Sequence, residues 1–99
     1  MSVIYPKKGT VTVSAGSASL TIPTTDGICK QLFVKSTTST TTFDIKLTDR
    51  FSLDVLNDTD ITGLYNQLME LPCYGNWTFS ISNASLDELF TYLIVVQEY

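Results

Sequence analysis

Histidine is absent from the 99-residue sequence. This removes the side chain that most often serves as a general base near neutral pH and as a ligand to transition metals. A Ser-His-Asp or Cys-His site cannot form within such a chain. Cysteine is nearly absent too. Cys29 and Cys73, with no histidine beside them, fall short of the four ligands of a structural zinc site. The five glycines are scattered at turns and compose neither a phosphate-cradling loop nor a dinucleotide fingerprint. Charge is scarce, at 16% of residues, and six basic residues stand against ten acidic ones, for a net charge of -4. Lys7, Lys8, Lys30, Lys35, Lys46 and Arg50 are spread along the chain. Nucleic-acid binding draws on clustered cations that displace counterions from phosphates, so it is not expected.

Long apolar runs are missing as well. The longest, Leu93-Ile94-Val95-Val96, is far too short for a bilayer, and Met1 to Tyr5 has no basic segment leading into an apolar one. The expectation is a protein made in a cytoplasm with no membrane partner. There, two cysteines are expected as reduced, buried thiols. The sequons at Asn57, Asn76 and Asn83 then read as chance products of a composition in which Ser and Thr make up about a quarter of the chain.

What is present points to strands. At 43% hydrophobic and 11% aromatic, the chain can fill one core. Val11 and Val13 alternate with Thr10 and Thr12, and Ala18, Leu20 and Ile22 alternate with Ser19 and Thr21. This pair reads as a hairpin around Ser14–Ser17. Pro23 and Gly27 bracket a loop. Ile28 to Lys35 and Leu89 to Val96 are apolar on both faces, which predicts central strands. Ser36–Thr42 reads as a polar loop, mobile in its middle. Phe43, Ile45 and Leu47 before a turn at Asp49-Arg50, and Phe51, Leu53 and Val55 after it, predict a second hairpin with six apolar side chains on one core face. Asn57–Gly63 reads as an acidic, turn-rich connection. Leu64–Leu71 fits a short helical turn or an irregular strand, the latter preferred, and Pro72 breaks it. Trp77, Phe79 and Ile81 point inward from a last clear alternating strand, and Asn83–Asp87 turns the chain. The fold class expected is all-β: about eight antiparallel strands in a jelly-roll-like β-sandwich, with residues 1–8 an N-terminal arm or edge strand and 9–99 a single sandwich domain.

No catalytic, cofactor-binding or metal-binding residues are assigned, and no enzyme is expected. Paired carboxylates could act alone, but Asp44, Asp54, Asp58, Asp60, Asp87 and Glu88 fall on outward strand positions or in turns, without the buried pocket an acid of raised pKa needs. Asn57, Asp58 and Asp60 supply clustered oxygens of the kind calcium uses, yet lack the full loop signature, and turns favour Asn and Asp for conformational reasons alone. Trp77 alternates in step with core residues, so it reads as core rather than as a sugar platform. The partner-contact candidates are Val3, Ile4 and Tyr5 near the N-terminus, with Tyr65, Tyr74 and Tyr99 assigned to loops or a terminus.

The segment Gly75-Asn76-Trp77-Thr78-Phe79-Ser80-Ile81, the Asn83-Ala84-Ser85 turn and the closing Leu93-Ile94-Val95-Val96 strand resemble the end of jelly-roll modules. One such module follows the catalytic domain of some subtilisin-like proteases; another type comprises small β-sandwich proteins of tailed-phage particles. The protease module is longer, is attached to a catalytic domain and follows a secretory signal, a departure that favours the phage-type comparison. The resemblance covers about a third of the chain. It implies a capsid decoration or cement protein located in the virion, a major capsid or other virion protein as partner, and a homo-oligomer with a trimer favoured. A carbohydrate- or receptor-binding module of a tail or fibre, and a soluble adaptor or inhibitor, are the competing expectations.

Overall fold

The computed structural model describes residues 4–22 and 26–98. Eight strands follow in order: β1 (Ile4–Thr12), β2 (Ala18–Ile22), β3 (Gly27–Ser36), β4 (Thr42–Thr48), β5 (Asp54–Thr62), β6 (Leu64–Cys73), β7 (Trp77–Ser82) and β8 (Leu89–Glu98). They form two antiparallel four-stranded sheets, ordered β1-β8-β3-β6 and β2-β7-β4-β5. This is the interleaved order of a jelly roll, in which successive strands repeatedly change sheet. No helix occurs among the described residues.

The core lies between the sheets. Leu32, Val34, Phe90, Ile94 and Val96 face inward from one sheet, and Phe43, Ile45, Leu47, Trp77, Phe79 and Ile81 from the other, all essentially without solvent contact. Phe43 and Phe90 meet edge to face across the layers, 5.0 Å between ring centres, the arrangement the ring quadrupoles favour. Cys29 is a free, buried thiol. Trp77 sits in the core, as its alternation predicts, though its Nε1 finds no acceptor among the described residues.

Several expectations need correction. The segments 9–13 and 18–22 are not a hairpin: β1 pairs with β8 and β2 with β7, in different sheets. Alternation reports which face a residue takes, not which strand it pairs with. The turn between them exists, with Ala15 and Gly16 both at positive φ. Their N–H groups donate to the Asp87 carboxylate at 3.0 and 2.9 Å.

β4 and β5 do pair, but Phe51 and Leu53 are loop residues, 57% and 62% exposed, and the pairing sets Leu47 opposite Leu56 and Phe43 opposite Ile61. The buried Asp49 carboxylate accepts the N–H groups of Phe51 and Leu53, which rounds off the loop and delays the strand. Residues 57–62, expected as a turn-rich connection, belong to β5. An edge strand pairs on one side only and tolerates outward Asn, Asp and Thr, with a kink at Asp60, φ 58°. Segment 64–71 is a strand with an irregular register against β3, and Pro72 continues it, since an edge position loses no ladder bond there.

The Ser36–Thr42 segment is tied down at both ends and in its middle. Glu88 accepts the Thr41 hydroxyl at 2.6 Å and the Thr38 hydroxyl at 2.8 Å. The Thr41 hydroxyl first, then Thr38, holds the Glu88 carboxyl below its usual range. Gly63 alone connects β5 to β6, and so carries the chain from one sheet to the other. Its φ is +72°, and a Cβ there would run into the Ser39 carbonyl oxygen.

Candidate functional site

The two sheets differ in what they turn outward. On β2-β7-β4-β5 the outward ladder positions are Ser19, Thr21, Thr78, Ser80, Lys46, Thr48, Asn57 and Asp54, none of them apolar. Hydroxyls and charges on a pleated surface are at home in water. The outer face of β1-β8-β3-β6 is of another kind. Reading across it by register, one row runs Ile4, Gln97, Ile28, Pro72; the next Pro6, Val95, Gln31, Leu68; the third Lys8, Leu93, Phe33, Asn66; the fourth Thr10, Thr91, Lys35, Leu64. More than half of these positions are apolar. None of them belongs to the buried core or packs against it.

The edges of this face are its most open parts. Leu68 is 79% exposed and Ile4 60%, while Phe33, Leu93 and Val95 at the centre are partly covered by their neighbours. Two pairs of its polar groups are matched to one another. Gln31 Nε2 donates to Asn66 Oδ1 at 2.9 Å. Lys30 and Glu70 form an ion pair at 2.5 Å, and that contact holds the Glu70 carboxyl below its usual range. Leu68, Met69, Glu70, Lys30, Gln31 and Val95 line a shallow depression of about 520 Å³ beside the irregularity in β3.

A second, smaller cluster sits on the loops at one end of the sandwich. Phe51 and Tyr74 meet edge to face at 6.0 Å, and the Arg50 guanidinium lies 4.8 Å above the Phe51 ring. Arg50 also faces Asp26 at 3.6 Å, and Asp26 accepts the Gly75 N–H at 2.7 Å. Gly75 has φ +70°, and a Cβ there would press on the Arg50 side chain. The tip therefore holds its shape while Phe51 and Leu53 remain in solvent.

Of the contact candidates, Ile4 lies on the apolar face at its edge and Tyr74 in the loop cluster. Tyr5 is placed by its backbone, opposite Val96. Val3 and Tyr99 lie outside the described residues. Tyr65 is not a loop residue: it belongs to β6, is 8% exposed, and donates its hydroxyl to Asp58. Asp58 is thereby separated from Asn57, which turns outward from β5, and no cluster of three potential metal-ligating acidic or cysteine side chains occurs among the described residues. The central residues of the apolar face, Ile28, Phe33, Leu93 and Val95, are missing from the sequence-based candidates. The signal was present, because both strands read as apolar on two faces. In a two-layer sandwich a central strand has only one covered face, so a second apolar face has nothing among the described residues to bury it.

No family model matches this sequence, and no curated protein does. Among solved structures, the chain is similar to one described as the structure of infectious bursal disease virus, Gx strain, with a TM-score of 0.36 and 12% identity. The match covers 99% of this chain and 32% of that one, so these 99 residues span about a third of the viral chain's length.

Proposed function

We propose that this protein is a non-enzymatic structural component of a virus particle, of the decoration or cement type, which binds assembled shell subunits. The observation that carries the reading is the apolar outer face of β1-β8-β3-β6 set against the hydroxyl-rich face of the other sheet. A contiguous apolar surface rimmed by polar residues marks a protein contact. A jelly roll is a frequent architecture of capsid domains, and the resemblance of the last third of the chain to phage-particle sandwiches points the same way. Such a protein stabilises a shell by mass action, because it binds the assembled state and not the free subunits. Quantitative mass spectrometry of purified particles tests this. A copy number comparable with that of the major shell protein is expected, and absence from the particles would overturn the proposal.

One observation favours a second reading, a receptor- or carbohydrate-binding module of a tail or fibre. The Arg50, Phe51 and Tyr74 cluster combines exposed rings with a cation on a loop whose shape is held; aromatic residues and Arg are enriched at interfaces, and Tyr and Arg in binding hot spots. Under this reading a handful of copies per particle is expected, and Phe51→Ser abolishes ligand capture while leaving the Tm within a degree or two.

A further inference from the structure

We infer that, in the free protein, the cover for the outer face of β1-β8-β3-β6 is a second copy of this chain, the two sheets stacked face to face about a two-fold axis. The inference rests on the reading above that this face is a contact surface, and names its occupant. With the axis parallel to the strands and between β8 and β3, β1 of one copy lies over β6 of the other. Leu93 then meets Phe33 of the second copy, and Pro6 meets its Leu68, by the row positions these residues hold. Lys8 falls over an asparagine and Lys35 over a threonine, so like charges do not face each other. Such self-complementarity is what a two-fold contact requires.

Size and polarity agree. Four strands about 4.8 Å apart and about nine residues long give a plan area of roughly 570 Å² per copy, or roughly 1,100 Å² for the pair. That clears the roughly 1,000 Å² expected of a specific interface and lies at its lower end, so the pair should separate on dilution. The Gln31–Asn66 hydrogen bond and the Lys30–Glu70 ion pair lie within the face. Covering it therefore leaves fewer polar groups unpaired than a bare polar surface would. Stacking two apolar sheet faces repeats the packing of the interior and turns both hydroxyl-rich sheets to solvent. A flat face that meets itself gives a pair rather than the trimer expected from the resemblance.

Light scattering on the intact chain tests the pairing. Twice the 11.0 kDa chain mass is expected at about 100 μM, falling toward the single mass on dilution. Leu93→Lys and, separately, Leu68→Glu should each give the single mass at that concentration with an unchanged circular dichroism spectrum. Leu68 is exposed enough that its replacement leaves folding intact. Ser80→Glu, on the other sheet, should keep the doubled mass. A single mass for the unaltered chain at every concentration, or a doubled mass surviving both face substitutions, overturns the pairing. Copy number of the same variants in particles separates the two proposals. A single-mass chain that loses its particle copies through Leu93→Lys refutes self-pairing and leaves the shell contact standing. A chain that pairs through this face and is absent from particles refutes the virion reading alone.

Discussion

The Tyr65 hydroxyl donates to the Asp58 carboxylate and so ties the edge of one sheet to the edge of the other. β6 and β5 lie side by side there without ladder bonds between them, joined by Gly63 at one end. Burial first, and the adjacent carboxylate second, push the Tyr65 phenol above its ordinary value of 10.0. Tyr65→Phe should lower the unfolding free energy in urea by about 2 kcal/mol, the worth of a hydrogen bond to a charged acceptor. The folded chain holds this proton where the unfolded chain has released it. Stability should therefore decline as pH rises above about 10, with a shallower slope in Tyr65→Phe.

Glu88 predicts the acid limb. Its carboxyl is held below the ordinary 4.5 by the Thr41 hydroxyl and then by Thr38. The folded state thus favours the ionised form, and the stabilisation present above pH 4.5 should fade as pH falls through the lowered value. Melting curves between pH 7 and pH 3 should show a steeper acid decline for the unaltered protein than for Glu88→Gln. Equal slopes would remove Glu88 from the explanation.

Cys29 should behave as an inert thiol. Burial pushes its pKa up to about 11, so little thiolate forms near neutrality. In a Cys73→Ser protein, a thiol-reactive dye should titrate essentially nothing in native buffer and one group in denaturant. Rapid labelling of the native form would contradict the placement.

Gly63→Ala should be among the most damaging single-methyl additions to this chain. The residue combines φ +72° with backbone in the path of a Cβ, and backbone strain of this kind costs about 1–3 kcal/mol before any clash is relieved. Gly75→Ala should cost less, because what a Cβ meets there is the flexible Arg50 side chain. Denaturant midpoints of the two variants give the comparison directly.

Where period-two alternation met a full core face, sequence and structure agree: Phe43, Ile45 and Leu47 on β4, and Trp77, Phe79 and Ile81 on β7, all point inward. The same reasoning failed at Phe51 and Leu53, which continue the alternating pattern but follow a loop closed by Asp49. Alternation carries no information about where a strand starts when an Asp side chain replaces the first ladder bonds. It also missed β5 beyond Asn57, since polar residues on an edge strand look like a turn. Pairing was illegible for a further reason. Each hairpin-like neighbour in sequence was a possible partner, whereas the structure joins β1 to β8 and β2 to β7 over most of the chain's length, and β4 to β7 across the two intervening strands. Of the apolar outer face, Ile4 stood out in the sequence from its apolar context, while Phe33 and Leu93 were hidden by being read as interior.

That β8 lies between β1 and β3 has a consequence for biosynthesis. Ile4 pairs with Gln97 and Gly27 with Glu98, so neither β1 nor the β8-facing side of β3 can complete its ladder until β8 has left the ribosome. At about 5–20 residues per second of translation, β1 waits several seconds with its apolar side chains unburied. Closure over so long a separation must precede any gain from packing, which places this chain among slow folders in the range of milliseconds to seconds. Its nascent form is thus the one most in need of a chaperone, and the emergence of β8, rather than that of any earlier strand, should set the moment at which protease resistance appears.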